Sequence, residues 1–492
     1  MDSFEIQKNS EFGRYLIATR DLQPGEYLFE DTPFAIGPKA RTSCCCLECY
    51  CPVLGTASGS RCEKCSWPLC ADCSKLTKLT AHKRECEVFQ AAKCKFYNLP
   101  DPNVSCIQLD CITPLRILLE READMDRWNI EVCPMEDHRD KRFETDAWDA
   151  DQQNIVGYLL GPCKLKDRGI TEEIIQKVIG ILEVNTFEAK TIKGYSIRCL
   201  YTKLAISSHS CIPNTTHAIH PSDNYKMHVR ATTAIPKGSQ LYSCYTYTLN
   251  GTMDRQQHLM EGKYFQCHCE RCSDPTELAT HFSSMKCRDC LYGDVDSSNP
   301  LDAEAIWKCN KCPMEIPAES IRESLKALQN EIECTNSVEF LEFSLEEYEG
   351  ILHKKHYIMI SMKSALIDSY GHMKSYLLAE LPDILLHRKI ELCEELLSIL
   401  DIFEKGMSRA RALMMYELHA PIVLYARSQY DIGHLTKLEY LEQLEKARRI
   451  LNESREILEW GDENVCTAKA FSLKSLKYLD SLIVNVKNCE EL

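Results

Sequence analysis

Between residues 46 and 86 the chain reads Cys46-Leu-Glu-Cys49, Cys62-Glu-Lys-Cys65, Cys70-Ala-Asp-Cys73 and His82-Lys-Arg-Glu-Cys86. Two residues between cysteines let both sulfurs reach one tetrahedral ion at about 2.3 Å, and a histidine three residues ahead of a cysteine completes such a set equally well. The four pairs supply eight ligands, enough for two closed zinc sites. A closed site keeps no position for substrate, so these ions hold structure rather than do chemistry. Metal binding would drive the folding of so short a segment. Cys44, Cys45 and Cys51 stand beside the set as spare thiols.

Two further clusters follow. Cys267-His-Cys269-Glu-Arg-Cys272 offers three close sulfurs and needs a fourth ligand from elsewhere. Cys287-Arg-Asp-Cys290 and Cys309-Asn-Lys-Cys312 form pair, loop and pair, as in a zinc ribbon. This spacing decides between two uses for the chain's 29 cysteines, disulfides outside the cell or metal ligands inside it. Lone cysteines such as Cys94, Cys334 and Cys393 are expected to act as small apolar residues. The start of the chain lacks a signal-peptide pattern, and no apolar run reaches the roughly 18 residues that span a bilayer. A soluble cytoplasmic and nuclear protein is expected, with no membrane association. The net charge of −15 argues against a surface that coats nucleic acid.

Residues 1–43 read as short strands and turns, with Pro24-Gly25 between strand-like runs at 14–19 and 27–29. The stretch 18–28 has an echo at 231–241, each strand, turn, strand, as expected of one β domain split by an insertion. Residues 94–190 read as helical; Ile174, Ile175, Val178, Ile181 and Leu182 recur at helical spacing, and the acidic run 147–153 is expected to be solvated. From about residue 316 long amphipathic helices follow. Leu352, Met359, Met362, Leu366 and Tyr370 share one face, as do Leu441, Leu444, Ala447 and Leu451. Successive helices of this length fit a helical-repeat solenoid, with a plain bundle as the alternative.

The motif Ser208-His209-Ser210-Cys211-Ile212-Pro213-Asn214 is similar to the Asn-His-Ser-Cys-x-Pro-Asn of SET domains, and the strand ending Leu241-Tyr-Ser-Cys-Tyr245 leads into the Cys-x-Cys-x-x-Cys cluster. The eight-ligand segment resembles a MYND zinc finger. The order of elements resembles the SET and MYND domain family of protein-lysine methyltransferases, in its arthropod-type branch. That resemblance implies an α+β multidomain fold: a split β-rich SET domain with an inserted MYND finger, a post-SET zinc region and an all-α, helical-repeat-like C-terminal domain. The implied divisions are 1–43 and 185–250 for SET, 44–90 for the finger, 91–184 for a helical insertion, 251–315 for post-SET with the extra ribbon, and 316–492 for the helical domain. It also implies Cys211 as the fourth ligand of Cys267, Cys269 and Cys272, for three to four zinc ions in all.

The implied reaction moves a methyl from S-adenosylmethionine to a lysine of a protein substrate, histone or not, with a transcription-regulatory role. A lysine of pKa about 10.4 must lose its proton first, and direct displacement then depends on alignment. Tyr245 falls at the family's catalytic tyrosine. Gly13, Arg14, Asn185, Ser208, His209, Tyr245 and Phe265 fall at cofactor positions. Three residues depart from the pattern: Tyr15 replaces a glycine, Ser208 an asparagine, and Lys263 the second channel tyrosine, for which Tyr264 is a one-residue-shifted substitute. A second reading stays open: an adaptor with a weak or inactive SET core, whose finger holds proline-containing peptides with Trp67 as an apolar contact. Trp67 as a filler of the finger's own core is the alternative.

Overall fold

A computed structural model describes residues 2–10, 12–53, 61–97, 104–333, 337–461 and 467–488. Strands β1 (Phe4–Asn9) and β2 (Gly13–Ala18) form a hairpin; β3 (Tyr27–Asp31) and β4 (Ala35–Gly37) follow. The cysteine-rich segment comes next and ends in the helix Lys83–Ala92. Helices Ile112–Ala123 and Glu172–Asn185 flank a run of short turns. The chain then returns to strands β5 (Thr186–Lys190), β6 (Ser196–Leu200), β7 (Ser208–His209), β8 (Thr215–His220), β9 (Lys226–Ala231) and β10 (Tyr242–Ser243).

The β region is split across the sequence. β3 pairs with β9 and β9 with β8; β4 pairs with β6 and β6 with β5. The echo between 18–28 and 231–241 is a physical pairing as well as a likeness. Leu22 bridges Ile235 and Ile17 bridges Gln240, and both turns pivot on a glycine in the left-handed region, Gly25 at φ 79° and Gly238 at φ 83°. Leu16, Leu22, Phe29, Val229, Ile235 and Leu241 close the core between these pieces.

A second core joins the cysteine-rich segment to the helices that follow it. Trp67 is fully buried there, stacked on Phe89 with centroids 3.9 Å apart, and its indole N–H donates to the Cys94 carbonyl at 3.1 Å. It fills the interior and presents nothing to a partner. The acidic run at 147–153 is helical rather than merely solvated, because Trp148 turns inward from the helix Asp146–Asp151.

Strands β11 (Met285–Lys286), β12 (Asp294–Ser297), β13 (Trp307–Cys309) and β14 (Glu315–Ile316) form a small meander. Among the described residues seven long helices follow, from Ala318–Glu333 to Thr467–Asn488. From Val338–Tyr348 onward each packs against the next. Leu352 does not share the face of Met359, Met362, Leu366 and Tyr370: their helix is Tyr357–His372, and Leu352 instead bridges Met285 of the meander. The helical region docks on the split sheet. The Met407 N–H donates to the Thr232 carbonyl at 2.8 Å, and a Cβ on Gly406 would lie 2.1 Å from that same oxygen, so only glycine fits. Cys94 and Cys393 are buried as expected of small apolar residues; Cys334 lies outside the described residues.

Candidate active site and zinc centres

Among the described residues, four groups of thiols and imidazole converge with their ligand atoms within 4.8 Å of one another: Cys46, Cys49, Cys70, Cys73; Cys62, Cys65, His82, Cys86; Cys211, Cys267, Cys269, Cys272; and Cys287, Cys290, Cys309, Cys312. A tetrahedral zinc with bonds of about 2.3 Å separates two sulfurs by about 3.8 Å. The sulfurs of Cys49 and Cys70 lie 3.7 Å apart, Cys62 and Cys86 3.7 Å, Cys211 and Cys272 3.5 Å, and Cys290 and Cys309 3.7 Å. These spacings suit four-coordinate zinc and far exceed a disulfide bond of about 2.05 Å. The donor sets fit the metal.

The first two groups interleave, with the first and third pairs on one site and the second and fourth on the other. Cys51 stays close by, its sulfur 3.4 Å from that of Cys49. The second site has a support that spacing alone did not reveal. His82 points Nε2 at Cys65 Sγ, 3.2 Å away, and its Nδ1 lies 2.8 Å from Oε1 of the buried Glu85. A carboxylate behind a ligating histidine fixes its tautomer and orientation. Burial pushes Glu85 toward the neutral acid, but Arg116 outweighs it and holds the carboxyl below its ordinary range. Arg116 Nη2 donates to Glu85 Oε1 at 2.7 Å, and Nη1 to the Tyr50 hydroxyl at 2.7 Å. A glutamate three residues after the histidine was the available signal.

At the third group Arg255 donates Nε to Cys211 Sγ at 3.3 Å and Nη2 to Cys272 Sγ at 3.4 Å. Glu277 anchors Arg255 and Arg271 together, at 2.9 and 2.8 Å, and all three side chains are at most 1% exposed. Arg271 in turn stacks over Phe403 of the helical region at 3.4 Å. At the fourth group a Cβ on Gly293 would lie 2.5 Å from Cys309 Sγ, so the turn between the pairs must be bare.

Tyr245 and Phe265 pack against the third group, on Cys211, Cys267 and Cys272. β7 and β10 run parallel, with Ser208 opposite Tyr242 and His209 opposite Ser243. Asn214 fastens the crossing: its Nδ2 donates to the Gln240 carbonyl at 2.9 Å and its Oδ1 accepts from the Tyr242 N–H at 2.7 Å. His209 Nδ1 accepts from the Tyr245 N–H at 3.0 Å, and burial pushes the imidazole down to about 4. The His209 ring lies 5.2 Å from Tyr245 and 5.9 Å from Phe265, and the latter two meet edge-on at 6.5 Å. The Tyr245 hydroxyl donates to the Ser207 carbonyl, and burial raises its pKa, so the phenol keeps its proton.

Gly13 opens β2, opposite Asn9 of β1, and adopts φ +64° with open space where a Cβ would stand. Arg14 faces the charge of Glu136, although burial lowers its pKa overall. The Glu136 carbonyl accepts from Asn185 Nδ2 at 3.0 Å. Ser208 Oγ accepts from Gln240 Nε2 at 2.6 Å, so its hydroxyl is engaged inside the β region. Tyr15 turns along the hairpin, its hydroxyl donating to Gln7 at 3.1 Å. The Tyr264 hydroxyl donates to Glu183 at 3.1 Å. Lys263 Nζ lies 5.6 Å from the centroid of the Tyr245 ring.

The SET domain family profile matches residues 13–246. The SET domain-containing protein SmydA-8, isoform A, of Drosophila melanogaster is 26% identical over 402 residues, covering 76% of this chain and 82% of its own. The chain therefore carries a SET domain match and is similar to SET and MYND domain proteins. The Drosophila relative fits the arthropod-type branch of that family. The histone-lysine N-methyltransferase ASHR1 of Arabidopsis thaliana is 24% identical over 372 residues, covering 69% of this chain and 70% of its own. The N-lysine methyltransferase SMYD2-B of Danio rerio is 24% identical over 280 residues, covering 56% and 62%. Among the described residues no helix is long and apolar enough to cross a membrane.

Proposed function

We propose that the chain is a protein-lysine N-methyltransferase that takes its methyl from S-adenosylmethionine. The observation that carries the reading is the convergence of His209, Tyr245 and Phe265 on the parallel crossing of β7 and β10. Bound there, S-adenosylmethionine supplies an electrophilic methyl on a cationic sulfur. The site suits such a group: aromatic faces attract cations at about 6 Å or less, and bare backbone at Gly13 allows close approach. Tyr245, protonated and tied to Ser207, is placed to orient an incoming amine and narrow its path. Arg14 offers a cation for a carboxylate, and Phe265 an apolar face for a purine.

The zinc groups are read as scaffolding. Residues 44–90 would be a MYND finger inserted in SET parts 1–43 and 185–250, with a helical insertion at 91–184. Residues 251–315 would be post-SET with a ribbon, and 316–492 a helical-repeat-like domain. A cytoplasmic and nuclear location follows from thiols kept for metal, and protein lysines from the relatives' activities. Lys263 supports the second reading of a weak core, because its own amine already stands over the Tyr245 ring, 5.6 Å from the centroid. Calorimetry with S-adenosylmethionine tests the primary reading. Binding heat that disappears in Phe265→Ala is expected; no heat from folded, zinc-loaded chain at millimolar cofactor would sink it.

A further inference from the structure

Lys263 ends the helix Thr252–Lys263, and the next residue, Tyr264, turns into the left-handed region at φ 62°. That turn sends the tyrosine outward and leaves the lysine arm to run inward over Tyr245. Lys263 Nζ then donates to the carbonyl of Val184 at 2.5 Å, one residue before Asn185. It forms no ion pair among the described residues. Glu183, the acid that faces it, is occupied by Arg142 at 2.7 Å and by the Tyr264 hydroxyl at 3.1 Å. An amine held by a carbonyl, rather than a carboxylate, keeps less stabilisation for its charge. Burial lowers the Lys263 pKa in the same direction, against the pull of Glu183.

We propose that Lys263 is a self-methylation site, occupying within the chain the place of a substrate lysine. The inference rests on the methyltransferase reading above. Three requirements of the reaction meet at this one side chain. The amine must be able to lose its proton, it must lie beside the orienting phenol, and it must be held rather than free. The neutral Nζ attacks the methyl carbon of the sulfonium donor. A nitrogen–carbon bond forms, the sulfur–carbon bond breaks with its electron pair left on sulfur as the neutral thioether, and the extra proton on nitrogen passes to water. Each methyl replaces an N–H, so a fully methylated Lys263 cannot donate to Val184. Complete methylation therefore releases the arm from its anchor at Val184.

The full-length, zinc-loaded chain is incubated with S-adenosylmethionine carrying a deuterated methyl, digested and mapped by tandem mass spectrometry, with calorimetry on the same preparation. Label on Lys263 is the expected result, and methyl already present there in protein as expressed counts the same way. The rate per chain should not change on dilution, and Tyr245→Phe should remove the label while zinc content and melting stay as in the parent. Heat from cofactor binding without methyl on Lys263 overturns this inference alone. Absence of heat overturns it together with the reading it rests on. A rate that rises with chain concentration overturns transfer within one molecule, and label confined to other lysines in both parent and Lys263→Arg overturns the site.

Discussion

Glu277 is the residue through which the thiols of the third group, two arginines and the helical region are joined, and its removal gives the clearest energetic test. Its carboxylate, 1% exposed, accepts from Arg255 at 2.9 Å and from Arg271 at 2.8 Å, both 0% exposed. Burial alone would raise its pKa, but Arg255 and then Arg271 outweigh that and hold it at about 2, against an ordinary 4.5. At about 1.4 kcal/mol per pKa unit, the depression corresponds to about 3 kcal/mol of folded-state stabilisation. A group depressed in the folded state contributes fully above its unfolded value and loses that contribution as pH falls from about 4.5 through about 2. A comparison at neutral pH therefore sees all of it. Glu277→Gln keeps the shape, removes the charge and strands two buried guanidinium groups, a change that typically costs about 3–5 kcal/mol. For a unit of about 150–250 residues each kcal/mol moves the melting temperature by about 2–4 °C, so a fall of roughly 6–20 °C is expected. Differential scanning calorimetry of the zinc-loaded chain reads the shift. Release of zinc to a chromogenic chelator should quicken in parallel, since Arg255 donates to Cys211 and Cys272. A melting temperature within about 2 °C of the parent, with unchanged zinc release, would refute the account of Glu277 as the counter-charge.

Three further outcomes are expected. Cys211→Ser should lower bound zinc by one ion per chain in elemental analysis and loosen the wall behind Tyr245 and Phe265, while the ion count of the other groups stays the same. Lys263→Tyr, which puts a phenol where the structure has an amine over Tyr245, should raise methyl transfer to a lysine peptide by about tenfold or more, the equivalent of about 1.4 kcal/mol; an unchanged rate in a labelled-methyl assay would count against Lys263 as an obstacle. Trp67→Ala empties a stacked, fully buried position, should cost about 3–5 kcal/mol and should raise proteolysis within the cysteine-rich segment, whereas an intact digestion pattern would refute its role as interior filler.

The metal groups were legible because ligand chemistry is local. A CxxC pair carries its geometry within four residues, and all four convergent groups could be named from spacing and family likeness before any coordinates. The strand echo was legible for a related reason: a glycine turn between apolar runs is a short pattern, repeated at Gly25 and Gly238. What stayed hidden depends on contacts between distant residues. The guanidinium of Arg116 beneath Glu85 spans 31 positions, and the bond from Lys263 to Val184 spans 79. Periodicity placed Leu352 on a helical face because it extends the apolar series, yet the chain turns at 353–356 and the residue serves the meander instead. Trp67 shows the same limit, since a tryptophan beside a ligand reads alike whether it faces a partner or Phe89.

The interleaving of the first two thiol groups has a consequence for how the segment acquires its metal. An ion bound by Cys46, Cys49, Cys70 and Cys73 ties residues 21 positions apart and encloses Cys62 and Cys65 in the loop it closes. An ion on the second group likewise ties Cys65 to His82, 17 positions apart, around Cys70 and Cys73. Whichever ion arrives first shortens the free chain that the second must organise, so part of the closure entropy has already been lost when the second binds. The two ions should therefore load cooperatively, and a chelator that takes one should destabilise its neighbour. The segment then behaves as a single all-or-none unit, folded with both ions or open with neither.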